Sequence, residues 1–299
     1  MIPAGPAVAH APTPPVELRL PQGGRLTVGG DRRALVMGIL NVTPDSFSDG
    51  GLFFDEGAAI ARGEQLLAEG ADLLDVGGES TRPGADPVPP DVQIERIVPV
   101  IEALARHTSC VPISVDTTSA DVAERALDAG ASIVNDVSAL RDDPRMACLV
   151  ARRKAPVILM HMLGRPRTMQ IQPHYDDVVA EVRGFLAERI AAAVDAGIDP
   201  AQIVIDPGFG FGKLFEHNME LLRRLDALRD LNRPILAGTS RKAMLGHILG
   251  VPPMERVYGT LASVTAAVER GAAIVRVHEV KPAVHAVKVL AAIHGRSWQ

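Results

Sequence analysis

Short apolar runs rich in Val, Ile and Leu recur along most of the chain and alternate with segments of helical periodicity. The runs are ALVMGIL (34–40), DLLDVGG (72–78), PISVD (112–116), SIVND (132–136), PVILMH (156–161), IVIDP (203–207), PILAG (234–238) and AIVRVH (273–278). Continuous apolar runs of this length are typical of strands buried on both faces of a parallel sheet. The pattern therefore predicts eight parallel strands.

The segments between the runs carry helix patterns and helix stops. Residues 57–69 place their large apolar side chains along one stripe, and residues 121–129 and 175–196 end at Gly130 and Gly197. A glycine just after the last periodic residue is a common C-terminal signal of a helix. The chain is thus predicted to alternate strand and helix from residue 34 onward.

Eight strands alternating with helices over this length predict a closed (β/α)₈ TIM barrel, for which about 250 residues are typical. A doubly wound open sheet is the alternative. Residues 16–20 and 25–28 flank Pro-Gln-Gly-Gly and predict a hairpin that caps the N-terminal end of the barrel. We expect one domain over residues 16–299, preceded by a flexible Pro/Ala-rich tail over residues 1–15.

Composition narrows the function classes. A formal net charge of −5 argues against a general nucleic-acid binder, which carries a basic excess. Cys110 and Cys148 are the only cysteines, so neither a disulfide framework nor a thiolate metal cluster is expected. No apolar run approaches the roughly 18 residues that span a bilayer, and the N-terminus lacks a signal-peptide pattern. A soluble protein of the reducing cytoplasm is predicted.

Polar residues follow every predicted strand, at the end where TIM barrels carry their chemistry. They are Asn41, Glu79 to Arg82, Asp116, Asn135 with Asp136, His161, Asp206, Ser240 to Lys242, and Arg276 with His278. Such residues can simply cap the next helix. That explanation fails for Asp116, because residues 118–121 already supply a capping box, and for Asp206, because Pro207 and Gly208 precede any helix. We therefore expect one shared site.

The residue types at these ends suit two kinds of ligand group. The carboxylates of Asp116 and Asp206, with the amide of Asn135, fit a flat heterocycle that presents N–H groups and a carbonyl. The second set fits a phosphorylated group and consists of Arg276, His278, Lys242 and Asn41. In that set the amide oxygen of Asn41 is an available ligand for Mg²⁺.

The stretch DPGFGFGK (206–213) fits neither a dinucleotide fingerprint nor a phosphate-binding P-loop. Its glycines are predicted to let the backbone approach a flat ligand, with Phe211 as an apolar contact. His161 has two interpretations, a catalytic group or a buried histidine with its hydrogen bonds satisfied, and the second is favoured.

Eight motifs in order closely resemble those of the dihydropteroate synthases, from about residue 34 to the end. They are MGILNVTPDSFSDGG (37–51), ESTRPG (79–84), SVDT (114–117), ND (135–136), LMHMLGRPRTMQ (159–170), DPGFGFGK (206–213), GTSRKAMLG (238–246) and RVHEV (276–280). The resemblance implies condensation of 6-hydroxymethyl-7,8-dihydropterin diphosphate with 4-aminobenzoate, giving 7,8-dihydropteroate and pyrophosphate for folate synthesis. It also implies Mg²⁺ as cofactor, competition by sulfonamides and a homodimer.

The resemblance also assigns residues by motif. Substrate binding falls to Asp116, Asn135, Met160, Asp206, Phe211, Gly238, Ser240, Lys242, Arg276 and His278, with Thr81, Arg82 and Pro83 in a mobile loop. Lys242, Arg276, His278 and Asp49 are implied to be catalytic, and Asn41 to bind the metal. Asp45 and Phe47 accompany Asp49 in a second mobile loop.

Two functions from other classes remain open on the sequence. A methyltetrahydrofolate-dependent methyltransferase would share the pterin pocket, and a silent paralogue would bind pterin without turning it over. The one departure within the motifs is Glu279, which stands where the family more often has Asp. It is one methylene longer, and little effect is expected.

Overall fold

The structure, a computed structural model, describes residues 14–43, 55–79, 87–107, 111–165 and 167–299. Within them a two-stranded antiparallel sheet of β1 (Val16–Arg19) and β2 (Arg25–Val28) precedes a closed barrel. The predicted hairpin is confirmed, and its two strands pair from Val16 opposite Val28 to Arg19 opposite Arg25.

Eight parallel strands close the barrel, in the order β10-β3-β4-β5-β6-β7-β8-β9. Their bounds are β3 (Leu35–Asn41), β4 (Leu73–Gly77), β5 (Ile113–Asp116), β6 (Ile133–Asp136), β7 (Val157–Met160), β8 (Ile203–Asp206), β9 (Ile235–Ala237) and β10 (Ala272–Val277). Each lies on one of the predicted apolar runs. Closure by the pairing of β10 with β3 excludes the open-sheet alternative.

Helices connect the strands on the outside of the barrel. Those of the described residues are α1 (Glu56–Ala68), α2 (Pro90–His107), α3 (Ala120–Asp128), α4 (Met146–Arg153), α5 (Val178–Asp195), α6 (Phe215–Arg223), α7 (Ala243–Leu249), α8 (Val257–Glu269) and α9 (Val280–Ile293). Short 3₁₀ turns lie at Pro200–Gln202, Leu225–Leu231 and Pro253–Glu255. The three helices predicted from periodicity match α1, α3 and α5.

The hairpin closes one end of the barrel. Leu18 and Val28 are buried among side chains of the barrel interior, such as Met37 and Leu73. The Gln22 side chain donates to Ala131 O (2.8 Å), just before β6. These contacts lie at the strand starts, so the site is left to the opposite end, where the strands terminate.

Some predictions concern residues outside the described ranges. They include most of the proposed tail and the loop residues Asp45, Phe47, Asp49, Thr81, Arg82 and Pro83. The division into a tail and one domain stays a prediction. Of the described helices, none combines the length and apolarity needed to cross a membrane.

Candidate active site

The sheet register brings the predicted residues of neighbouring strands side by side. Asp116, the last residue of β5, lies opposite Asn135 on β6 and Gly77 on β4. Met160 ends β7 opposite Asp206, which ends β8. Because all eight strands run the same way, these side chains share one mouth.

A cluster of two carboxylates, one guanidinium and one amide lies at the centre of this mouth. Arg276 donates from Nε to Asp75 Oδ2 (2.6 Å) and from Nη2 to Asp116 Oδ2 (2.8 Å). The Asn135 amide donates to Asp75 Oδ2 (3.0 Å). Arg276 was predicted at the diphosphate end, but here it binds the carboxylates while its side chain stays 20% exposed. Its role at a diphosphate stays a prediction.

Two carboxylate oxygens of this cluster are buried without a donor among the described residues: Asp75 Oδ1 and Asp116 Oδ1. The pKa of Asp116 is raised to about 7, chiefly by burial and then by the neighbouring Asp75 carboxylate, while Arg276 lowers it. A buried acceptor without a donor costs about 1–3 kcal/mol. The arrangement therefore favours a ligand that brings N–H donors.

Asp75 was not predicted as a site residue, because it lies inside the apolar run of β4 rather than at its end. It is completely buried. A carboxylate in a strand with both faces buried is costly unless it is paired. That mismatch was visible in the sequence and would have marked Asp75 as a candidate.

Asp136, the neighbour of Asn135, organises the backbone instead of facing the cluster. Its Oδ1 accepts hydrogen bonds from the backbone N (2.8 Å) and hydroxyl (2.7 Å) of Ser138, and its Oδ2 accepts one from Leu140 N (3.0 Å). These bonds hold Ala139 and Leu140 at φ of 54° and 64°, which is unfavourable for residues with a Cβ.

Asp206, Lys242 and Phe211 form the next part of the mouth. Asp206 Oδ1 accepts from Gly208 N (2.7 Å), and burial raises the pKa of this carboxyl. The Lys242 Nζ lies 4.2 Å from the centre of the Phe211 ring, within the range of a cation–π contact. Burial and then Arg276 lower the pKa of Lys242 to about 8. Gly238 follows β9, and a Cβ on this residue would lie 4.0 Å from Asp206 Oδ2.

Apolar side chains form a separate wall at the same mouth. The wall consists of Val137, Met160, Met162 and Met169, with Phe211 packed against them. Thioether side chains adapt to flat partners and contact aromatic rings favourably. Met160 and Phe211 were predicted as pocket residues, whereas Met162 and Met169 were not.

Two glycines of the segment 206–213 are required by contacts with the protein's own backbone. A Cβ on Gly208 would lie 1.9 Å from His161 O, and one on Gly212 would lie 2.3 Å from Leu163 O. Both glycines also have positive φ, 69° and 62°. The close neighbour of each is protein backbone, which requires glycine at both positions; the approach of this segment to a flat ligand stays a prediction.

His278 and Ser240 define the outer part of the mouth. Ser240 Oγ lies 2.9 Å from His278 Nδ1 and accepts from His278 N (3.2 Å). The Glu279 carboxylate accepts from Arg241 Nε (2.5 Å) and from Ser240 Oγ (3.4 Å). Glu279 therefore contacts two residues of the GTSRK segment, a connection that the sequence alone did not indicate.

Asn41 ends β3 opposite Gly77 of β4, and β3 also pairs with β10, the strand that carries Arg276. It is half-buried and presents one hard oxygen ligand. In the described part of the chain, no group of three or more His, Cys, Asp or Glu residues could hold a metal by itself. Mg²⁺ keeps several waters and is commonly bound through one or two protein ligands plus substrate phosphates. A single amide oxygen beside a diphosphate fits that pattern.

Together these groups can bind a flat ring with N–H donors, support it with an apolar wall, and hold an anion with Arg276, Lys242 and His278. The sequence matches the profile of the family described as "Pterin binding enzyme" over residues 37–278. The match covers most of the chain and seven of the eight motifs named above in full, and it ends within the eighth, at His278.

Comparison with known proteins shows which members of this family the chain resembles. The chain is 46% identical to a Synechocystis dihydropteroate synthase, covering 92% of this chain and 94% of that protein. It superimposes on the Xanthomonas albilineans enzyme with 4-aminobenzoic acid at a TM-score of 0.87 and 49% identity, covering 94% and 98%. A Yersinia pestis dihydropteroate synthase–sulfonamide complex gives a TM-score of 0.87 and 43% identity, covering 93% and 99%. The chain belongs to the pterin binding enzyme family and, within it, to the dihydropteroate synthases.

Proposed function

We propose that this protein condenses 6-hydroxymethyl-7,8-dihydropterin diphosphate with 4-aminobenzoate and releases pyrophosphate. The observation that supports this most directly is the pair of buried acceptors, Asp75 Oδ1 and Asp116 Oδ1, beside Arg276. The amino group and adjacent N–H of a pterin ring supply the donors that these oxygens lack.

The ring pocket joins this cluster to Asp206. Its carboxylate and that of Asp116 would pair with ring N–H groups, and Asn135 and Lys242 would bind further polar atoms of the ring. Met160 and Phe211 would contact the ring's faces, and Gly238 would leave room beside Asp206. Each of these assignments rests on position at the mouth and on the family motifs.

The reaction breaks the bond between the pterin methylene carbon and the diphosphate oxygen, and the electron pair leaves with the diphosphate. Arg276, His278 and Lys242 would stabilise that negative charge, and the buried carboxylates would favour the cationic ring methylene. The aminobenzoate nitrogen then attacks the carbon with its lone pair and loses a proton. Ser240 would lie at the edge of the aminobenzoate site, with Thr81, Arg82, Pro83 and Asp49 from the two loops.

Mg²⁺ is proposed as cofactor, with Asn41 as its protein ligand. When bound, the ion would neutralise part of the diphosphate charge. The support is the position of one amide oxygen on β3, next to the strand of Arg276.

A pyrophosphate-release assay tests the function. Turnover is expected only with both substrates, and release with the pterin diphosphate alone or none at all would contradict it. Methyl transfer to a corrinoid protein would instead support the methyltransferase alternative. Arg276→Ala should lower kcat/KM by about 100-fold, as expected for one preorganised charge contact of about 3 kcal/mol. Near-normal turnover in that variant would refute the role of Arg276.

A homodimer is also proposed, through the outer face of α8 and α9. A groove between these helices is lined by apolar residues including Leu261 and Val289. Val289 is 61% exposed and Ile293 is 73% exposed. Contiguous exposed apolar surface marks interaction sites, and this face lies on the outside of the barrel.

Sedimentation velocity tests the dimer. The wild type should sediment as a dimer, and Val289→Glu with Ile293→Glu should give monomers because two charges would be buried in the interface. Val194→Glu, on an exposed apolar position of α5, is the matched control and should stay dimeric. A monomeric wild type, or a double variant that stays dimeric, would exclude this interface.

A cytoplasmic location completes the proposal. Its support is the exposed free thiol of Cys148, which persists in a reducing compartment. Cell fractionation tests it, and recovery of the protein outside the cytoplasm would contradict it.

A further inference from the structure

Lys213, the last residue of DPGFGFGK, is a buried amine that the proposed chemistry does not use. It is 3% exposed. Its Nζ lies 2.8 Å from His161 Nδ1, 2.9 Å from Gly208 O and 3.1 Å from Phe211 O. An ammonium group has three protons and no lone pair, so these three acceptors match its donors one for one. A neutral amine would leave one acceptor facing a lone pair.

His161 fits the acceptor role. Burial, and then the charge of Lys213, lower the pKa of His161 to about 2, so the ring is neutral and Nδ1 can accept. The ring packs edge-on against Phe185, with centroids 4.8 Å apart. This supports the favoured sequence interpretation, in which His161 is a buried histidine with its hydrogen bonds satisfied.

The three contacts fix the shape of the segment before Lys213. Lys213 binds both Gly208 O and Phe211 O and so holds residues 208–211 in a compact turn. In this turn Phe211 N also donates to Gly208 O (3.1 Å). Side chains fix the same segment from outside, where Gln170 donates to Gly210 O (2.6 Å) and Tyr175 to Gly212 O (2.8 Å). Lys213 is the only charged donor among them.

This turn positions two proposed contacts of the ring, Phe211 within it and Asp206 just before it. Phe211 stands against the methionine wall and under the Lys242 Nζ, and Gly208 N bonds the Asp206 carboxylate. The positive charge of Lys213 also opposes the rise in the pKa of Asp206 caused by burial. Movement of this turn would therefore shift both the apolar wall and the carboxylate of the ring pocket.

We propose that Lys213 is a positioning residue for the pterin ring, which acts through Phe211 and Asp206 without touching substrate. The inference rests on the proposed function. Lys213 affects binding of the ring and leaves the aminobenzoate site unaffected, because the residues assigned to that site lie on other segments.

The test compares Lys213→Met with the wild type at pH 6.5. The probe is 6-hydroxymethyl-7,8-dihydropterin, which lacks the diphosphate, titrated by calorimetry. Lys213→Met should weaken its binding at least tenfold, while the KM for 4-aminobenzoate at saturating pterin diphosphate stays within about twofold. Lys213→Gln keeps an amide donor without the charge, so its affinity for the pterin should lie between those of the wild type and Lys213→Met. If Lys213→Met does not fold, Lys213→Gln replaces it in the comparison.

Arg33→Met is the matched control for lost stability. Arg33 makes a two-bond ion pair with Asp72 (2.7 and 2.8 Å) at the start of β3, at the opposite end of the barrel. This variant should lower Tm and leave the pterin Kd within twofold. Unchanged pterin affinity in folded Lys213 variants, or an equal loss in Arg33→Met, would overturn the proposal. Failure of the wild type to bind the pterin would instead refute the proposed function.

Discussion

At the scale of single residues, the site concentrates opposite charges with little access to solvent. Asp75, Asp116 and Asp206 are buried beside Arg276 and Lys242, so each group changes the proton affinity of its neighbours. Such mutual shifts are typical of sites that bind or transform charged ligands. The protonation of individual side chains should therefore be visible in the kinetics.

Lys242 gives a prediction for the pH dependence of turnover. Because the pKa of Lys242 is lowered to about 8, its positive charge is present below that pH and is lost above it. The kcat/KM for the pterin diphosphate should fall as pH rises through about 8, and a pH–rate profile measures this. In Lys242→Arg the guanidinium stays protonated, so the descending limb should move to higher pH. An identical limb near pH 8 in both proteins would exclude Lys242 as its cause.

At the scale of elements, the strands were predictable because each is a continuous apolar run, and the helices because glycines end them. The polar residues at strand ends were predictable for the same reason, since a parallel barrel gathers those ends. Asp75 was missed because it lies within a strand, and the backbone contact of Gly208 and Gly212 was missed because it joins residues 206–213 to residues 161–163, a distant part of the chain. Hydrophobic periodicity along the sequence gives no information about such a contact.

Gly208 and Gly250 test that contact as a matched pair. Both have positive φ, 69° and 67°, but only Gly208 faces a carbonyl, whereas a Cβ on Gly250 meets nothing within 4 Å. Gly250→Ala should cost about 1–2 kcal/mol of unfolding free energy, from the backbone conformation alone. Gly208→Ala should cost about 1–3 kcal/mol more because its methyl group overlaps His161 O. Urea unfolding measures both, and equal losses would show that the contact is absent in solution.

At the scale of the whole molecule, the buried carboxylates oppose folding. The pKa of Asp116 is about 7 in the folded protein and 3.8 in its ordinary state, so the folded protein binds more protons between these values. Stability from this group is present below about pH 4 and is lost as pH rises through about 7. The site is thus held in a costly state that a ligand with N–H donors would relieve.

Asp116→Asn gives the corresponding stability prediction. The amide does not titrate, so the free energy of unfolding should change less between about pH 5 and pH 8 in the variant than in the wild type. Urea unfolding at the two pH values provides the comparison. If both proteins lose the same stability over this interval, Asp116 is not a source of the loss.

Calorimetric titration with 6-hydroxymethyl-7,8-dihydropterin shows directly whether the buried carboxylates at the barrel mouth bind the ring. Asp116→Asn should bind it about 10- to 100-fold more weakly than the wild type, since a hydrogen bond to a charged group is worth about 1.5–3 kcal/mol. Asp121→Asn changes an exposed carboxylate that pairs with Arg145 on the outside of the barrel, and it should bind normally. Equal affinity in the wild type and Asp116→Asn would show that the Asp116 carboxylate does not bind the ring.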